Sequence, residues 1–382
     1  EPDDDRTLVD KLYDAVLPTL TLFRDQHNAT FAQVSHATHK EVVPLNGESF
    51  KRYLRKVAQE DLDKLVGSDT LSTVAGQLDS DAAFSGRTIE LQNRVAWSGA
   101  SIFYEMSDPL NSAFEISAQG WRFVATPPIL FRREEHQQPQ VQPAPPGHGS
   151  LQPLIDLFYL TNQQALLLKV WLVYCLVPVV PKLFLYVQAE KGSGKTDLSR
   201  SLRRLIDPSS IASLKEPRNE DRAVAQLEHH YLPIFDNINV LLPWFVRLVC
   251  TASTGESDER RKLYTDDGVK IFSFVRPLIL NAINRLGIQF PDFQERMLLL
   301  KLVRIPDEKR LQSTDFWERF EAIRPVVLGG MFDALAEAMR IKPTLTVYDP
   351  PRMADFAVWG SAIAIAMGHS QDEFLQAYRS NM

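Results

Sequence analysis

The segment 183–206 constrains the fold of this chain more than any other. An apolar run, LFLYVQ at 183–188, is followed by AEKGSGKT at 189–196 and then by the helix-forming run DLSRSLRRLI. Glycines allow a backbone turn to wrap closely around an anion, and the amides of the turn and of the following helix N-terminus face that anion. The order of strand, glycine-rich loop and helix therefore predicts a phosphate-binding loop.

The side chains of this loop predict its ligands. Lys195 is expected to reach the terminal phosphates of ATP, and the hydroxyl of Thr196 is expected to bind Mg²⁺. Alanine at 189 replaces the first glycine of the usual pattern and is a common variant. The predicted nucleotide-binding residues are Ala189, Glu190, Lys191, Gly192, Ser193, Gly194, Lys195 and Thr196.

Two later apolar runs each end in a polar residue. YLPIFDN, at 231–237, places Asp236 at a strand end, where its carboxylate is predicted to be a second Mg²⁺ ligand beside the loop. Within RPLILNAIN, at 276–284, the apolar strand is predicted to end in Asn281, which either orients the water that attacks the γ-phosphate or forms an asparagine turn. Lys195, Asp236 and Asn281 are therefore the predicted catalytic residues of these segments.

Beyond residue 150, short and wholly apolar segments alternate with longer helical patterns. Such strands are typical of a parallel sheet that helices cover on both faces. The predicted fold class is thus α/β, with the sheet strands at 183–188, 211–216, 231–236, 277–282 and 298–305.

Composition shifts predict the domain boundaries. The segment 132–150 is rich in Pro, Gln and Gly, which is typical of a linker. In the N-terminal part, 49–66 has helical spacing that ends at Gly67, and 88–124 alternates like short antiparallel strands. The predicted domains are an N-terminal α+β accessory domain at 1–131, the linker at 132–150, the ATPase core at 151–305 and a helical C-terminal domain at 306–382.

Several features favour a cytoplasmic protein without membrane spans. The apolar run 165–187 is interrupted by two lysines and two prolines, so it predicts a buried helix, a turn and a buried strand. The two cysteines are far apart, and the first residues form no apolar signal core. His36 and His39 have no partner cysteines at metal-finger spacing, so we interpret them as surface residues.

A hairpin is predicted between Asp236 and Asn281. Asp-Gly between strand-forming residues at 260–272 is a strong turn signal. The net charge of −6 requires any DNA contact to come from a local cationic patch. Basic residues with an aromatic neighbour suit single-stranded DNA, although two aspartates at the tip would repel it. The predicted DNA-binding residues are Arg260, Arg261, Lys262, Tyr264 and Lys270.

Arg296 stands directly before the last predicted strand. There it has two interpretations that the sequence leaves open. It is either an arginine finger that reaches the γ-phosphate of a neighbouring subunit, or the partner of Asp292 or Glu295 in a salt bridge. As a finger it would be the fourth catalytic residue.

Together these motifs resemble the AAA+ branch of P-loop ATPases, and more narrowly the superfamily 3 helicases and helicase-like ATPases of phages, plasmids and integrated elements. The resemblance is carried by the glycine-rich loop, YLPIFDN, the hairpin and RPLILNAIN, and by the stretches at 242–267 and 351–368. It implies a homo-hexameric ring with ATP between subunits, single-stranded DNA in a pore lined by the hairpin, and a primase-polymerase module as neighbour or partner.

The chain departs from that pattern after Asp236, where many such motors have a glutamate as the catalytic base. Asn237 cannot accept a proton in that way. Two functions therefore stay open beside the helicase. One is an ATP-dependent switch or initiator that hydrolyses little. The other is a small-molecule phosphotransferase, for which Arg203 and Arg204 would have to serve as lid arginines.

Overall fold

The computed structural model describes residues 6–36, 39–190, 192–255, 258–261, 269–272, 275–306, 308 and 310–381. The chain divides into two compact units. The first contains Glu1–Asn93, Pro109–Ser112 and Ala125–Arg133, and the second contains Arg94–Asp108, Ala113–Val124 and Glu134–Met382.

The first unit is an α+β structure. Its antiparallel sheet has the order β3-β2-β1, and β4 joins the edge parallel to β1. The predicted helix at 49–66 is confirmed but ends at Leu62, and the C-cap residue Asp63 lies in the left-handed region at φ 51°. Gly67 does not stop that helix and instead caps the start of the next. The elements are α1 (Leu8–Val16), β1 (Leu20–Arg24), β2 (Thr30–Ser35), β3 (Lys40–Pro44), α2 (Glu48–Leu62), α3 (Ser68–Ser85) and β4 (Arg87–Thr88).

The second unit contains a four-stranded antiparallel sheet, a five-stranded parallel sheet, a short hairpin and the remaining helices. Its first elements are β5 (Val95–Ser98), β6 (Ser101–Glu105), β7 (Ala113–Ser117), β8 (Gly120–Val124), α4 (Gln152–Ile155), α5 (Asn162–Tyr174), β9 (Phe184–Ala189), α6 (Lys195–Ile206), β10 (Leu214–Lys215) and α7 (Glu220–His229). They are followed by β11 (Ile234–Ile238), α8 (Pro243–Thr254), β12 (Asp258–Arg261), β13 (Val269–Phe272), β14 (Ile279–Ala282), α9 (Pro291–Glu295), β15 (Met297–Leu302), α10 (Ser313–Ile341), α11 (Ala354–Ala366) and α12 (Gln371–Asn381).

The parallel sheet has the strand order β10-β11-β14-β9-β15. All five strands were predicted, although the one expected at 211–216 is only two residues long. Both faces of β9 are buried. Leu185 and Val187 belong to the hydrophobic cluster that includes α5, α6 and α10, while Phe184 and Tyr186 belong to the cluster of α7 and α8. Burial on both faces explains why these strands are wholly apolar.

The meander β5-β6-β7-β8 belongs to the second unit, so the prediction of an accessory domain over 1–131 is wrong in this part. Aromatic contacts are the physical reason. The rings of Phe114 and Trp121 each lie 5.5 Å from the ring of Phe332 in α10. Trp121 also donates its Nε1–H to Asp333 over 2.8 Å.

The segment predicted as a linker at 132–150 also packs, from residue 134 onwards, within the second unit. The amide of Ala144 donates to the carbonyl of Pro325 over 2.8 Å. Gly149 lies so close to α10 that a Cβ would be 1.9 Å from the amide nitrogen of Gly330. Proline and glycine here serve close backbone packing rather than flexibility.

The helices after residue 306 are confirmed, but they form no separate domain. Val327 of α10 and Phe356 of α11 lie in the same hydrophobic cluster as Trp171 of α5 and Leu185 of β9. The run at 165–187 forms a buried helix and strand, as predicted. No helix in the described part of the chain has both the length and the apolar composition needed to cross a bilayer.

Candidate functional site

The glycine-rich loop (residues 189–196) joins β9 to α6 at the carboxyl edge of the parallel sheet. Gly192 and Gly194 have φ values of 82° and 76°, a region that other residues adopt only with strain. The hydroxyl of Ser193 donates to the carbonyl of Glu190 over 2.6 Å and closes the turn. Ala189 ends the strand, and Lys191 lies outside the described residues. The local backbone is therefore the strand, turn and helix that the sequence predicts.

Lys195 and Thr196 form the first turn of α6, where backbone amides point out of the helix without intrahelical partners. Burial lowers the pKa of Lys195, and the nearby carboxylate of Asp236 opposes that change. A partly desolvated ammonium gains more from a bound anion than one in water does. The helix start thus combines a cation, a hydroxyl and amide donors in one place.

A chain of hydrogen bonds joins this helix to the strands β14 and β11, within which Asn281 and Asp236 lie rather than at the strand ends that the sequence predicted. Ser199 Oγ donates to Asn281 Oδ1 over 2.8 Å, and Asn281 Nδ2 donates to Asp236 Oδ1 over 3.1 Å. Asn281 is fully buried and lies within β14, so it does not form a turn. The strand β14 lies between β9 and β11. Asn281 therefore fixes the Asp236 carboxylate relative to the helix that begins at Lys195.

Asn237 follows Asp236 with a left-handed backbone, at φ 58°. The pairing of β11 with β14 shifts register between Phe235 and Ile238, around this residue. The amide of Asn237 donates to Asp236 Oδ1 over 3.0 Å, and its side chain is exposed. Asparagine adopts this left-handed backbone more readily than most residues do. Its side chain is an amide, so the position after Asp236 has no carboxylate.

The family of the Actinomycete integrative conjugative element replication protein matches residues 151–382, which is more than half of the chain. The chain belongs to this family. The prediction of a mobile-element replication protein is thereby confirmed. Among curated proteins, none matches the chain.

Solved structures of the C-terminal region of NrS-1 have weak similarity to this replication protein. An A-form apo structure has a TM-score of 0.47 at 10% identity and covers 84% of this chain and 67% of that chain. Another apo structure of the same region has a TM-score of 0.47 at 12% identity and covers 97% of this chain and 92% of that chain.

Arg296 lies at the opposite edge of the sheet from the glycine-rich loop of the same chain. Its carbonyl accepts from the amide of Phe184, the first residue of β9. The guanidinium is 3.9 Å from the Asp292 carboxylate, and its side chain is only 11% exposed. The geometry contains the ion pair with Asp292 that the sequence suggested. Glu295 instead pairs with Arg352.

The hairpin predicted at 260–272 is present as the antiparallel pair β12 and β13. The register sets Arg260 opposite Lys270, and Arg261 opposite Val269. Two of the predicted DNA-binding residues, Lys262 and Tyr264, lie outside the described residues. The backbone of the hairpin therefore brings two cationic positions together.

Sequence reasoning missed two residues beside the glycine-rich loop. Ser199 gives little signal, because it is one serine within an amphipathic helix. Arg310 follows β15 in an irregular segment, so no periodicity marks it. A Cβ at Gly192 would lie 2.9 Å from Nη2 of Arg310, and the amide of Ile305 donates to the carbonyl of Gly192 over 3.4 Å. The segment after β15 thus crosses the loop and brings a second cation to it.

One group of potential metal ligands occurs in the described part of the first unit. His36 and His39 stack with ring centroids 4.6 Å apart, and His36 Nε2 lies 3.2 Å from a carboxylate oxygen of Glu41. Their ligand atoms all lie within 4.8 Å of one another. Both histidines are half-buried, so they are less exposed than the sequence interpretation implied.

Proposed function

We propose that this replication protein binds ATP and Mg²⁺ at the glycine-rich loop and hydrolyses ATP to move along single-stranded DNA, as a helicase or translocase of AAA+ type. The hydrogen-bonded chain from Ser199 through Asn281 to Asp236 carries this proposal. It holds a carboxylate at the same sheet edge as Lys195, which is where phosphoryl-transfer sites need a fixed metal ligand.

The residues of the site fit these ligands. Gly192 and Gly194 leave room for phosphate oxygens close to the backbone, and the first amides of α6 would donate to them. The hydroxyl of Thr196 and the carboxylate of Asp236 are hard oxygen ligands, as Mg²⁺ prefers. Bound Mg²⁺ would neutralise charge on the terminal phosphates. Lys195 would hold the γ-phosphate in line for attack by water.

The DNA contact is assigned to the hairpin β12–β13. Arg260 and Lys270 share one register position, and cationic residues opposite each other repel unless an anion lies near them. A phosphodiester strand supplies such an anion. In a hexameric ring, each Arg296 would leave Asp292 to reach the phosphate bound by a neighbouring subunit.

The first test is ATP hydrolysis by the full chain with and without single-stranded DNA. Lys195→Ala is the test variant, and Lys64→Ala, an exposed lysine of the first unit, is the matched control. The proposal requires turnover that DNA stimulates, that Lys195→Ala abolishes and that Lys64→Ala leaves intact. An ATPase rate that is the same with and without single-stranded DNA would exclude the helicase or translocase function.

An ATP-dependent switch is the second candidate, and the exposed Asn237 is the observation that favours it. Without a carboxylate there, the chain would bind ATP tightly and hydrolyse little. Asn237→Glu distinguishes the two functions. A switch would gain turnover from the added base, whereas a motor that already uses Asp236 would gain none.

A further inference from the structure

A second candidate binding site lies in the second unit, away from the glycine-rich loop. A cavity of about 480 Å³ is lined by the outer side of α6, by the loop 208–212 and by α10. This volume is in the range of small-molecule sites. Its charged lining residues are Arg200, Arg203, Arg204, Arg324 and Glu321. Four guanidinium groups thus face one carboxylate.

Arg203 is the most buried of the four arginines that line this cavity. It is only 1% exposed, yet neither Nε nor Nη1 has a hydrogen-bond partner. Its Nη2 donates to Nδ1 of His230 over 2.7 Å. Burial and the charge of Arg203 lower the pKa of His230 to about 3, so the imidazole is neutral. Arg203 is therefore a buried cation whose bonded neighbour does not balance its charge.

The carboxylate of Asp207, which favours the charged form of Arg203, already accepts four hydrogen bonds from other groups. Asp207 Oδ1 accepts from Nε and Nη2 of Arg94 over 3.2 and 3.0 Å. Its Oδ2 accepts from the amides of Tyr231 and Leu232, both over 3.2 Å. Asp207 lowers the electrostatic cost of burying Arg203, but it leaves the free donors of Arg203 unpaired. Buried charged donors without partners are rare in folded proteins.

Two of the other arginines, Arg204 and Arg324, share one carboxylate. Glu321 accepts from Arg204 Nη1 over 2.5 Å and from Arg324 Nη1 over 3.0 Å. The guanidinium of Arg204 also lies 4.2 Å from the ring centroid of Trp317. Nε of Arg324 and Nε of Arg200 have no partner. The cavity as a whole therefore carries excess positive charge and unused donors.

We propose that this cavity binds a phosphate group of a nucleotide or of a nucleic-acid strand. Guanidinium groups offer planar donor pairs that match phosphate oxygens, and four guanidinium charges exceed what the single carboxylate of Glu321 balances. The aromatic wall at Trp317 adds a surface on which an attached base can stack. The lining of this cavity shares no residue with the glycine-rich loop, so the proposal does not rest on ATP binding there.

The cavity and the glycine-rich loop lie along the same helix, α6. Arg200 lies four residues after Thr196 on α6, which is roughly 6 Å along the helix axis. A phosphate in the cavity and a phosphate at the glycine-rich loop would contact the same helix. Because α6 is one rigid helix, a phosphate bound at the loop would change the affinity of the cavity for its phosphate, and the reverse would also hold.

The test measures the affinity of two probes, a fluorescein-labelled oligo(dT) by anisotropy and inorganic pyrophosphate by calorimetry. All proteins carry Lys195→Ala, so the loop lysine does not contribute. Arg200→Gln is the main variant because Arg200 is partly exposed, and Arg222→Gln in α7 is the matched exposed control. We expect at least a 10-fold loss for one probe in Arg200→Gln, as one charged hydrogen bond is worth about that, and less than about 2-fold in the control.

The pattern of loss identifies the source of the phosphate. Loss for oligo(dT) alone indicates a strand site, and loss for pyrophosphate indicates a nucleotide or free phosphate site. Equal affinities of Arg200→Gln and Arg222→Gln for both probes overturn the proposal. Arg203→Lys is the second variant, because it retains the positive charge but removes the whole guanidinium, including the unpaired Nε and Nη1. If it folds and binds both probes like the parent protein, the unpaired donors have no ligand and the proposal also fails.

Discussion

The Arg94 ion-pair network allows a stability prediction that depends on no ligand. The guanidinium of Arg94 is fully buried and donates to Asp207 Oδ1 over 3.0 and 3.2 Å. Its Nη1 donates to Ser107 Oγ over 2.9 Å and lies 3.3 Å from a carboxylate oxygen of Glu105. Arg94→Met removes all of these contacts and leaves two buried carboxylates behind.

The expected loss follows from the contacts that stay. Removing one partner of a buried ion pair costs about 3–5 kcal/mol. Asp207 keeps two amide hydrogen bonds, and Glu105 keeps those from the amide and hydroxyl of Ser107. These remaining bonds place the loss near the lower limit, at about 3 kcal/mol. That corresponds to a change of roughly 100-fold in the unfolding equilibrium constant.

Urea unfolding followed by tryptophan fluorescence measures this loss in the right part of the molecule. All six tryptophans lie in the second unit, so their emission reports its unfolding and not that of the first unit. Arg122→Met is the matched control. Arg122 pairs with Glu115 over 2.7 Å, but its side chain is 77% exposed, so the loss should stay below about 1 kcal/mol. If Arg94→Met loses no more than Arg122→Met, the network does not stabilise the fold.

Three further predictions follow from single residues. Burial lowers the pKa of Lys182 from 10.5 to about 7, so its folded pKa lies below its unfolded pKa. The free energy of unfolding of the wild type should therefore rise relative to that of Lys182→Met as pH rises from 7 towards 10. Urea unfolding at several pH values measures this, and a difference between the two proteins that does not change with pH would contradict the prediction. Gly192→Ala places a Cβ on a backbone with φ 82° and within 2.9 Å of Arg310. Titration with a fluorescent nucleotide should therefore show about 10-fold weaker ATP binding. An unchanged affinity would show that this backbone strain does not affect nucleotide binding. Asn281→Leu should lower kcat of the proposed ATPase by about 100-fold while ATP binding persists, because Asp236 loses the hydrogen bond that positions its carboxylate. An unchanged kcat in steady-state kinetics would show that Asn281 does not position Asp236 for catalysis.

The parallel sheet could be predicted because its signals are local. The strands coincide with apolar runs of sequence, and the polar residues Asp236 and Asn281 lie within two of them, β11 and β14. The chemistry of the loop likewise depends on residues adjacent in sequence, from Ala189 to Thr196. The same is true of the hairpin, whose two strands lie on either side of the Asp-Gly pair in the sequence.

Contacts between distant segments could not be predicted in this way. The alternating pattern of β7 gives no indication that Phe114 packs on Phe332, more than two hundred residues later. The proline-rich composition of 132–150 is typical of linkers, yet Gly149 fits closely against α10. Ser199 is one serine in an amphipathic helix, and only the sheet order brings Asn281 to it.

The helix α6 connects the features on which the proposals depend. It begins with Lys195 at the glycine-rich loop, and Ser199 one turn later bonds to Asn281. Arg203 on its last turns faces the cationic cavity, and Asp207 at its end binds Arg94. Because one continuous helix carries these groups, a displacement at its start moves all of them together. A phosphate at the loop and a phosphate in the cavity would then affect each other's binding, and by linkage to the same extent.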